Sequence, residues 1–495
     1  MKGMKLNKIS HFNGLVICLL AGLVVLLPSC GRTAEKYYNY VAIYPTDSMD
    51  DIVWKAAHVV PSQRQLEWQK LELTAFVHFG LNTFAEKQWG SGSDNPELFN
   101  PPDFDPEQWV SVLKQAGFRS LLLTCKHHDG FCLWPSAYTD YDLTASPWKD
   151  GKGDVVKEVS EACRKYGLLF GVYLSPWDMH EQTYGTPEYN DFFVNQLTEL
   201  LTQYGPIAEV WFDGACGEGP NGKKQEYDFD RWYKLIRELQ PQAIISIMGP
   251  DVRWVGNERG IARKTEWSVV PNDKLDPAMI AENSQKELIM PPTRVTMDKD
   301  LGSREVISKA RTLVWYPAET DVSIRPSWFY SSKDDGCTKS AEHLLNIYFT
   351  SVGRNSNLLL NVPPDKTGRF GADEVESLLG FAELRKKTFA HDFLKEASSS
   401  SLDKSESDWG GIEWTWDKSV NFSIFMVQED ISQGQRVEEF SLEYMGDDGT
   451  WIEAASGTTI GYKRLLQFEP VTASGVRLVI KSARHTPIIC GTGLF

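Results

Sequence analysis

Residues 154–175, DVVKEVSEACRKYGLLFGVYLS, carry the pattern that decides the fold. The stretch 154–166 reads as a helix, and 168–175 is a short run dense in leucine, valine and aromatics, as in a strand buried on both faces. The same alternation repeats outward in both directions. Strand candidates precede it at 75–80 (AFVHFG) and 120–126 (SLLLTCK), and follow at 208–213 (AEVWFD), 243–249 (AIISIMG), about 264–270, 313–320 (LVWYPAET) and 356–362 (SNLLLNV). Helical stretches at 107–117, 191–204 and 230–240 fall between them. Repeated strand–helix alternation predicts a parallel sheet. Eight candidates within residues 50–395 suit a (β/α)8 barrel of the TIM type better than an open doubly wound sheet, which alternates in the same way. His78, Lys126 with His127, Tyr173, Asp213 and Glu319 fall at the C-terminal ends of five candidates, the face on which barrels build their active sites.

Beyond the barrel the composition changes. Residues 396–407 (EASSSSLDKSES) are polar, lack aromatics and read as a linker. Residues 408–495 are short alternating runs separated by turn signals such as Asp447-Asp448-Gly449, the pattern of a small antiparallel β-sandwich. At the other end, Lys2, Lys5 and Lys8 precede an apolar run, Leu15 to Leu27, too short to span a bilayer comfortably. It ends in Leu27-Pro28-Ser29-Cys30, which resembles a bacterial lipobox. The expectation is a signal peptide at 1–29, a lipidated Cys30, a tether at 30–49, and an exported lipoprotein held to a membrane in the periplasm or at the cell surface. A plain signal peptide or an uncleaved anchor is the alternative.

The net charge of −16 would repel a polyanion, which argues against a nucleic-acid partner. The 17 Trp, 18 Tyr and 24 Phe lean towards carbohydrate, because aromatic faces stack on sugar rings, although most aromatics fill cores. Beyond the leader, Cys125, Cys132, Cys163, Cys216, Cys337 and Cys490 are scattered without a CxxC pair, so no zinc cluster is expected, and spacing alone assigns no disulfide.

In WFDG, 211–214, Asp213 ends a buried strand, where a carboxylate is costly unless it is used or paired. Capping the next helix is its other possible use. Glycoside cleavage needs two carboxyls, one to attack the anomeric carbon and one to protonate the leaving oxygen, about 5–5.5 Å apart in retaining enzymes. The loop GPDVRWVGNERG, 249–260, offers Asp251 and Glu258; Glu258, in a Gly-bounded stretch, is either a solvated surface residue or the second carboxyl. In KHHDGFCLW, 126–134, the adjacent His127 and His128 lack the H-x-H spacing that barrel metal sites use. Neutral imidazoles can hydrogen-bond sugar hydroxyls instead. His78, Tyr173 and Trp211 are open to structural or binding roles, while Trp89 (KQWG, 87–90) and Trp328 (RPSWFY) sit in loops.

Taken together, FVHFGLNTF (76–84), KHHDGFCLW, GVYLSPWD (171–178), WFDG and VGRNSNLLLNVPPDKTG (352–368), in this order, resemble glycoside hydrolase family 29, the α-L-fucosidases. The resemblance implies a retaining exo-glycosidase with Asp213 as nucleophile, a fucose pocket lined by His78, His127, His128, Tyr173 and Trp211, and neither cofactor nor metal. GPDVRWVGNERG and WYPAETDVSIRPSWFY (315–330) look like the subfamily that prefers α-1,3/1,4-linked fucose on Lewis-type glycans. That likeness implies Glu258 as acid/base and Arg253, Trp89 and Trp328 as ligand contacts. Fucosylated oligosaccharides or glycoproteins would be the partners. The alternatives are a broad-specificity fucosidase acting on α-1,2 or α-1,6 linkages, a catalytically inactive fucose-binding lipoprotein, and a metal-dependent barrel hydrolase using His127, His128 and Asp213. The C-terminal region resembles discoidin-like carbohydrate-binding modules, as a sugar binder or as a structural module packed on the barrel.

Overall fold

The computed structural model describes residues 39–271 and 300–495; the signal, Cys30 and the tether up to residue 38 lie outside the described residues. Eight parallel strands form a barrel: β1 (Leu73–Val77), β2 (Ser120–Lys126), β3 (Leu169–Leu174), β4 (Glu209–Phe212), β5 (Ile244–Ile247), β6 (Arg253–Trp254), β7 (Ala318–Ser323) and β8 (Ser356–Asn361). They follow chain order around the ring. β8 returns to β1 in register Leu358↔Leu73 to Asn361↔Phe76, and β5 meets β6 at the parallel bridge Ser246↔Val252.

The strands are apolar on both faces because each face meets protein. Leu73, Ala75 and Val77 of β1 join the outer core shared with the surrounding helices, while Phe76 packs inside the barrel with Leu122, Tyr173, Trp211 and Leu359. This is the two-residue period of a strand with no solvent side. The interior is full. A β-carbon on Gly171 of β3 would lie 2.9 Å from Leu122 and 3.1 Å from the Glu209 carbonyl, so glycine is required by close approach. Helices open on aspartate or serine caps: Asp105, Asp154, Asp228 and Ser340 each accept a backbone N–H of the first turn.

Two strand expectations need correction. The stretch 264–270 does not enter the barrel; the sixth strand is Arg253–Trp254, and Val269–Pro271 pairs with Thr312–Trp315 in a three-stranded side sheet completed by Tyr40–Ala42. A two-residue strand is too short to show any hydrophobic period. The run 313–320 is split by Pro317 between that side sheet and β7.

The C-terminal domain is a six-stranded antiparallel sheet built on two long strands, Gly411–Glu429 and Arg464–Ala483, bent at register shifts around a core of Trp414, Phe422, Phe425, Phe440 and Leu478. Part of the expected linker belongs to it. Ser398–Leu402 pairs with Gly411–Thr415 as an edge strand, and Ser398 to Ser401 are exposed, which is why this strand shows no apolar alternation. The six cysteines among the described residues form no disulfide, and four of them are buried.

Candidate active site

Inward residues of β4 and its end alternate as Glu209, Trp211 and Asp213, from barrel centre to rim. Asp213 is fixed through both oxygens. Oδ1 accepts the Ala215 backbone N–H at 2.7 Å, and Oδ2 accepts the Tyr173 hydroxyl at 3.0 Å. Its side chain remains 23% exposed, so the held carboxylate is still reachable from the mouth.

The three histidines converge beside it. The Asn361 amide donates to Ser323 Oγ (2.9 Å) and to the Trp328 carbonyl (2.8 Å), so its oxygen must accept from His78 Nδ1 at 2.8 Å. His78 therefore carries its proton on Nδ1 and presents Nε2 as an acceptor. The same reasoning applies to His128. Ser175 Oγ donates to the Trp177 carbonyl at 2.6 Å and accepts from His128 Nδ1 at 2.7 Å, leaving His128 Nε2 3.8 Å from Asp213 Oδ2, too far for a hydrogen bond. His127 stacks on Tyr173 at 5.6 Å, and its Nδ1 is buried without a partner among the described residues. Burial holds all three imidazoles below the usual range, His78 down to about 3, so all three are neutral at pH 7. Adjacent histidines both reach the pocket because the register between β2 and β3 shifts after Thr124, ending the strict alternation.

Aromatic rings shape the cavity. Tyr173 and Trp211 stack at 5.3 Å, with Phe76 5.2 Å from Trp211, and Trp328 lies 5.2 Å from His78. Trp89, 46% exposed, stands edge-on to His128 and Trp177 at the rim.

Glu258 reaches the mouth on the loop after β6. Its carboxylate accepts the Trp328 indole N–H at 3.3 Å. Although the residue is exposed, partial desolvation of the carboxyl raises its pKa, and the negative charge of Asp213 raises it further. The loop closes at Gly260, whose φ of +72° suits glycine and where a β-carbon would lie 2.8 Å from the Ile347 side chain.

Three polar residues sit elsewhere than the sequence suggested. Arg253 does not face the pocket; it points out of β6 and bonds the Tyr316 carbonyl (3.0 Å), the Trp267 carbonyl (2.9 Å) and the Glu266 carboxylate. Lys126 turns outward into a buried pair with Asp178 at 2.7 Å, under Tyr189, Phe192 and Phe193. Glu319 lies near the start of β7, at the level of Trp254 and below the rim, and accepts the Trp211 indole N–H at 2.8 Å. With Glu209 it forms a buried carboxyl pair. Desolvation pushes Glu209 up to about 7, and Glu319 rises through burial and the Glu209 charge, so the pair retains a proton. Sequence reasoning missed Asp321, one inward position further along β7. It accepts the Trp254 indole N–H at 2.8 Å and is raised by burial and by the charges of Glu258 and Asp213. Pro317, inside a run read as one strand, is the signal that would have placed it.

The Alpha-L-fucosidase family profile matches residues 52–387. "Alpha-L-fucosidase 1" of Arabidopsis thaliana is 41% identical over 465 residues, covering 88% of this chain and 87% of that one. A crystal structure from Bacteroides ovatus ATCC 8483 has a TM-score of 0.86 at 48% identity, covering 93% of this chain and 78% of that one. A Ruminococcus gnavus GH29 fucosidase in complex with fucose has a TM-score of 0.74 at 34% identity, covering 88% and 94%.

Proposed function

This chain belongs to the α-L-fucosidase family, glycoside hydrolase family 29, and on that premise we propose that it releases terminal α-L-fucose with retention, using Asp213 as nucleophile and Glu258 as acid/base. The observation that carries the reading is that two carboxyls meet at one pocket in different surroundings. Asp213 is held by two donors beside neutral histidines, and Glu258 is biased towards its protonated form by desolvation and by Asp213 itself. That is the division of labour a two-carboxyl glycosidase needs.

Asp213 attacks the anomeric carbon as the glycosidic bond breaks, and the Glu258 proton passes to the departing oxygen. Bonding to carbon removes the Asp213 charge, and with it one cause of the raised Glu258 pKa. Glu258, now a carboxylate, takes a proton from water as the water oxygen bonds to the anomeric carbon and Asp213 leaves. The Tyr173 hydroxyl donates to the carboxylate that departs in this second step. His78 and His128 offer Nε2 as acceptors for fucose hydroxyls, and the aromatic walls cover the apolar face of the sugar.

The linkage is α-1,3/1,4 on Lewis-type glycans. The likeness of the Glu258 and Trp328 stretches to that subfamily supports this, and the two stretches meet at the mouth, where the aglycone would leave. The enzyme works as an exported lipoprotein anchored through Cys30, a reading supported by the leader sequence. Incubation of residues 31–495 with a Lewis-type trisaccharide and with an α-1,2-fucosylated glycan tests the linkage. Fucose release from the Lewis glycan alone is expected; comparable release from both would remove the linkage assignment and leave a broad-specificity fucosidase.

A further inference from the structure

Residues 264–268, between the Glu258 loop and the side sheet, are gripped by the C-terminal domain. Gln435, fully buried, donates to the Glu266 carbonyl at 3.0 Å and accepts the Ser268 backbone N–H at 2.7 Å. Thr459 Oγ1 accepts the Glu266 N–H at 3.0 Å, and Arg464 donates to the Lys264 carbonyl at 2.7 Å. From the barrel side, Asn355 adds a second donor to the Glu266 carbonyl at 3.1 Å. Every backbone group in this grip is specified by a buried side chain, so the segment has little freedom to shift.

The Glu266 carboxylate carries the constraint onward. It bonds Arg253, at the start of the loop, and accepts the backbone N–H of Arg263, at its end, at 3.1 Å. The Arg263 guanidinium crosses to the Val255 carbonyl at 2.9 Å, tying the two limbs of the loop together. Both limbs are also stitched to β7: Val255 N–H donates to the Glu319 carbonyl at 2.9 Å, and Gly260 N–H to the Asp321 carbonyl at 3.2 Å. Glu258 stands at the tip of this closed frame, where its carboxylate accepts the Trp328 indole N–H. Its aim is therefore set by the frame.

We infer that the C-terminal domain takes part in the reaction by positioning Glu258, with Gln435, Thr459 and Glu266 as positioning residues that relay the domain's grip to the acid/base loop. Arg253, buried in this relay, belongs to the same device. The inference rests on the reading of Glu258 as acid/base.

The test compares Gln435→Leu, Thr459→Val, Thr459→Ser and Glu258→Ala in the full enzyme. Each is assayed on a fucosylated trisaccharide, whose leaving group needs protonation, and on an aryl fucoside with an acidic leaving group, which does not. Misplacing a general acid costs about ten- to a hundred-fold where protonation is required. Gln435→Leu and Thr459→Val should lose about that much kcat/KM on the trisaccharide and under about three-fold on the aryl substrate, with faster amide exchange in residues 255–263. Thr459→Ser keeps the acceptor and should restore the native ratio. Equal losses on both substrates, or no loss in the folded Thr459→Val enzyme, would overturn the inference. If Glu258→Ala itself fails to discriminate between the substrates, the acid/base reading falls; if it discriminates and the Gln435 and Thr459 variants do not, only the role of the domain falls.

Discussion

Tyr173→Phe removes a single hydroxyl from the bottom of the pocket. In the native enzyme that hydroxyl donates to Asp213 Oδ2 at 3.0 Å, and Asp213 keeps its other donor, the Ala215 N–H at 2.7 Å. The ring remains stacked between Trp211 and His127, so the cavity wall is preserved. A hydrogen bond to a charged group is worth about 1.5–3 kcal/mol. Under the proposed mechanism its effect differs between the two chemical steps. In the first step Asp213 loses charge as it bonds to carbon, so the donor stabilises the starting carboxylate and its loss does not weaken attack. In the second step charge returns to the departing carboxylate, and the donor stabilises that transition state. If about half the charge has developed, the loss is roughly 0.7–1.5 kcal/mol, a three- to twelve-fold slower release of the sugar. With an activated aryl fucoside the variant should show a larger burst of phenol followed by a slower steady state, read by stopped-flow absorbance. An unchanged steady state without a burst, or an equal slowing of the burst and the steady phase, would refute the assignment of this hydroxyl to the leaving carboxylate.

Other outcomes follow from the same geometry. The raised pKa of Glu258 means that its acid form persists above the usual carboxyl range and is lost as pH rises through the shifted value. The basic limb of kcat/KM on glycan substrates should follow that loss and be absent in Glu258→Ala assayed on an aryl fucoside; a basic limb surviving there would belong to another group. Asp178→Ala strands the buried Lys126 ammonium and should cost about 3–5 kcal/mol in chemical denaturation, whereas a cost within experimental error would show that the pair is dispensable. Glu209 and Glu319 are raised in the fold, so the stability they contribute is present below their unfolded pKa values and lost as pH climbs through the raised ones, about 7 for Glu209. Glu319→Gln replaces one acid with a neutral amide that can still meet the Trp211 indole, and thermal melts from pH 6 to 9 should fall less steeply than in the native protein; an identical slope would place the alkaline loss elsewhere.

Much of this molecule was legible because the strands of a barrel are buried on both faces and their apolar runs stand out. β2 and β8 were read with bounds close to those observed, and His78, His127, Tyr173 and Asp213 were read at strand ends. What escaped has identifiable causes. β6 is two residues long, so no periodicity marks it, and the side sheet at Val269–Pro271 took its place in the reading. Treating 313–320 as one strand put Glu319 at a tip and left Asp321 beyond it, although Pro317 divides the run. Residue type did not tell which face a side chain would take. On β6 Trp254 turns inward to Asp321 and Arg253 outward to Glu266, and after the register shift in β2 Lys126 leaves the pocket that His127 enters. The serines at 398–401 resembled a linker because an exposed edge strand has no apolar face to display.

The most direct test of the account is to trap the covalent intermediate. A 2-deoxy-2-fluoro-fucosyl fluoride slows both steps, but its activated leaving group lets the first proceed. The intact enzyme should gain one fluorofucosyl mass, and peptide mapping should place it on Asp213, with no label in Asp213→Asn. A label on Glu258 or another residue, or native turnover of fucosides without any trapped adduct, would contradict the assignment of Asp213 as nucleophile.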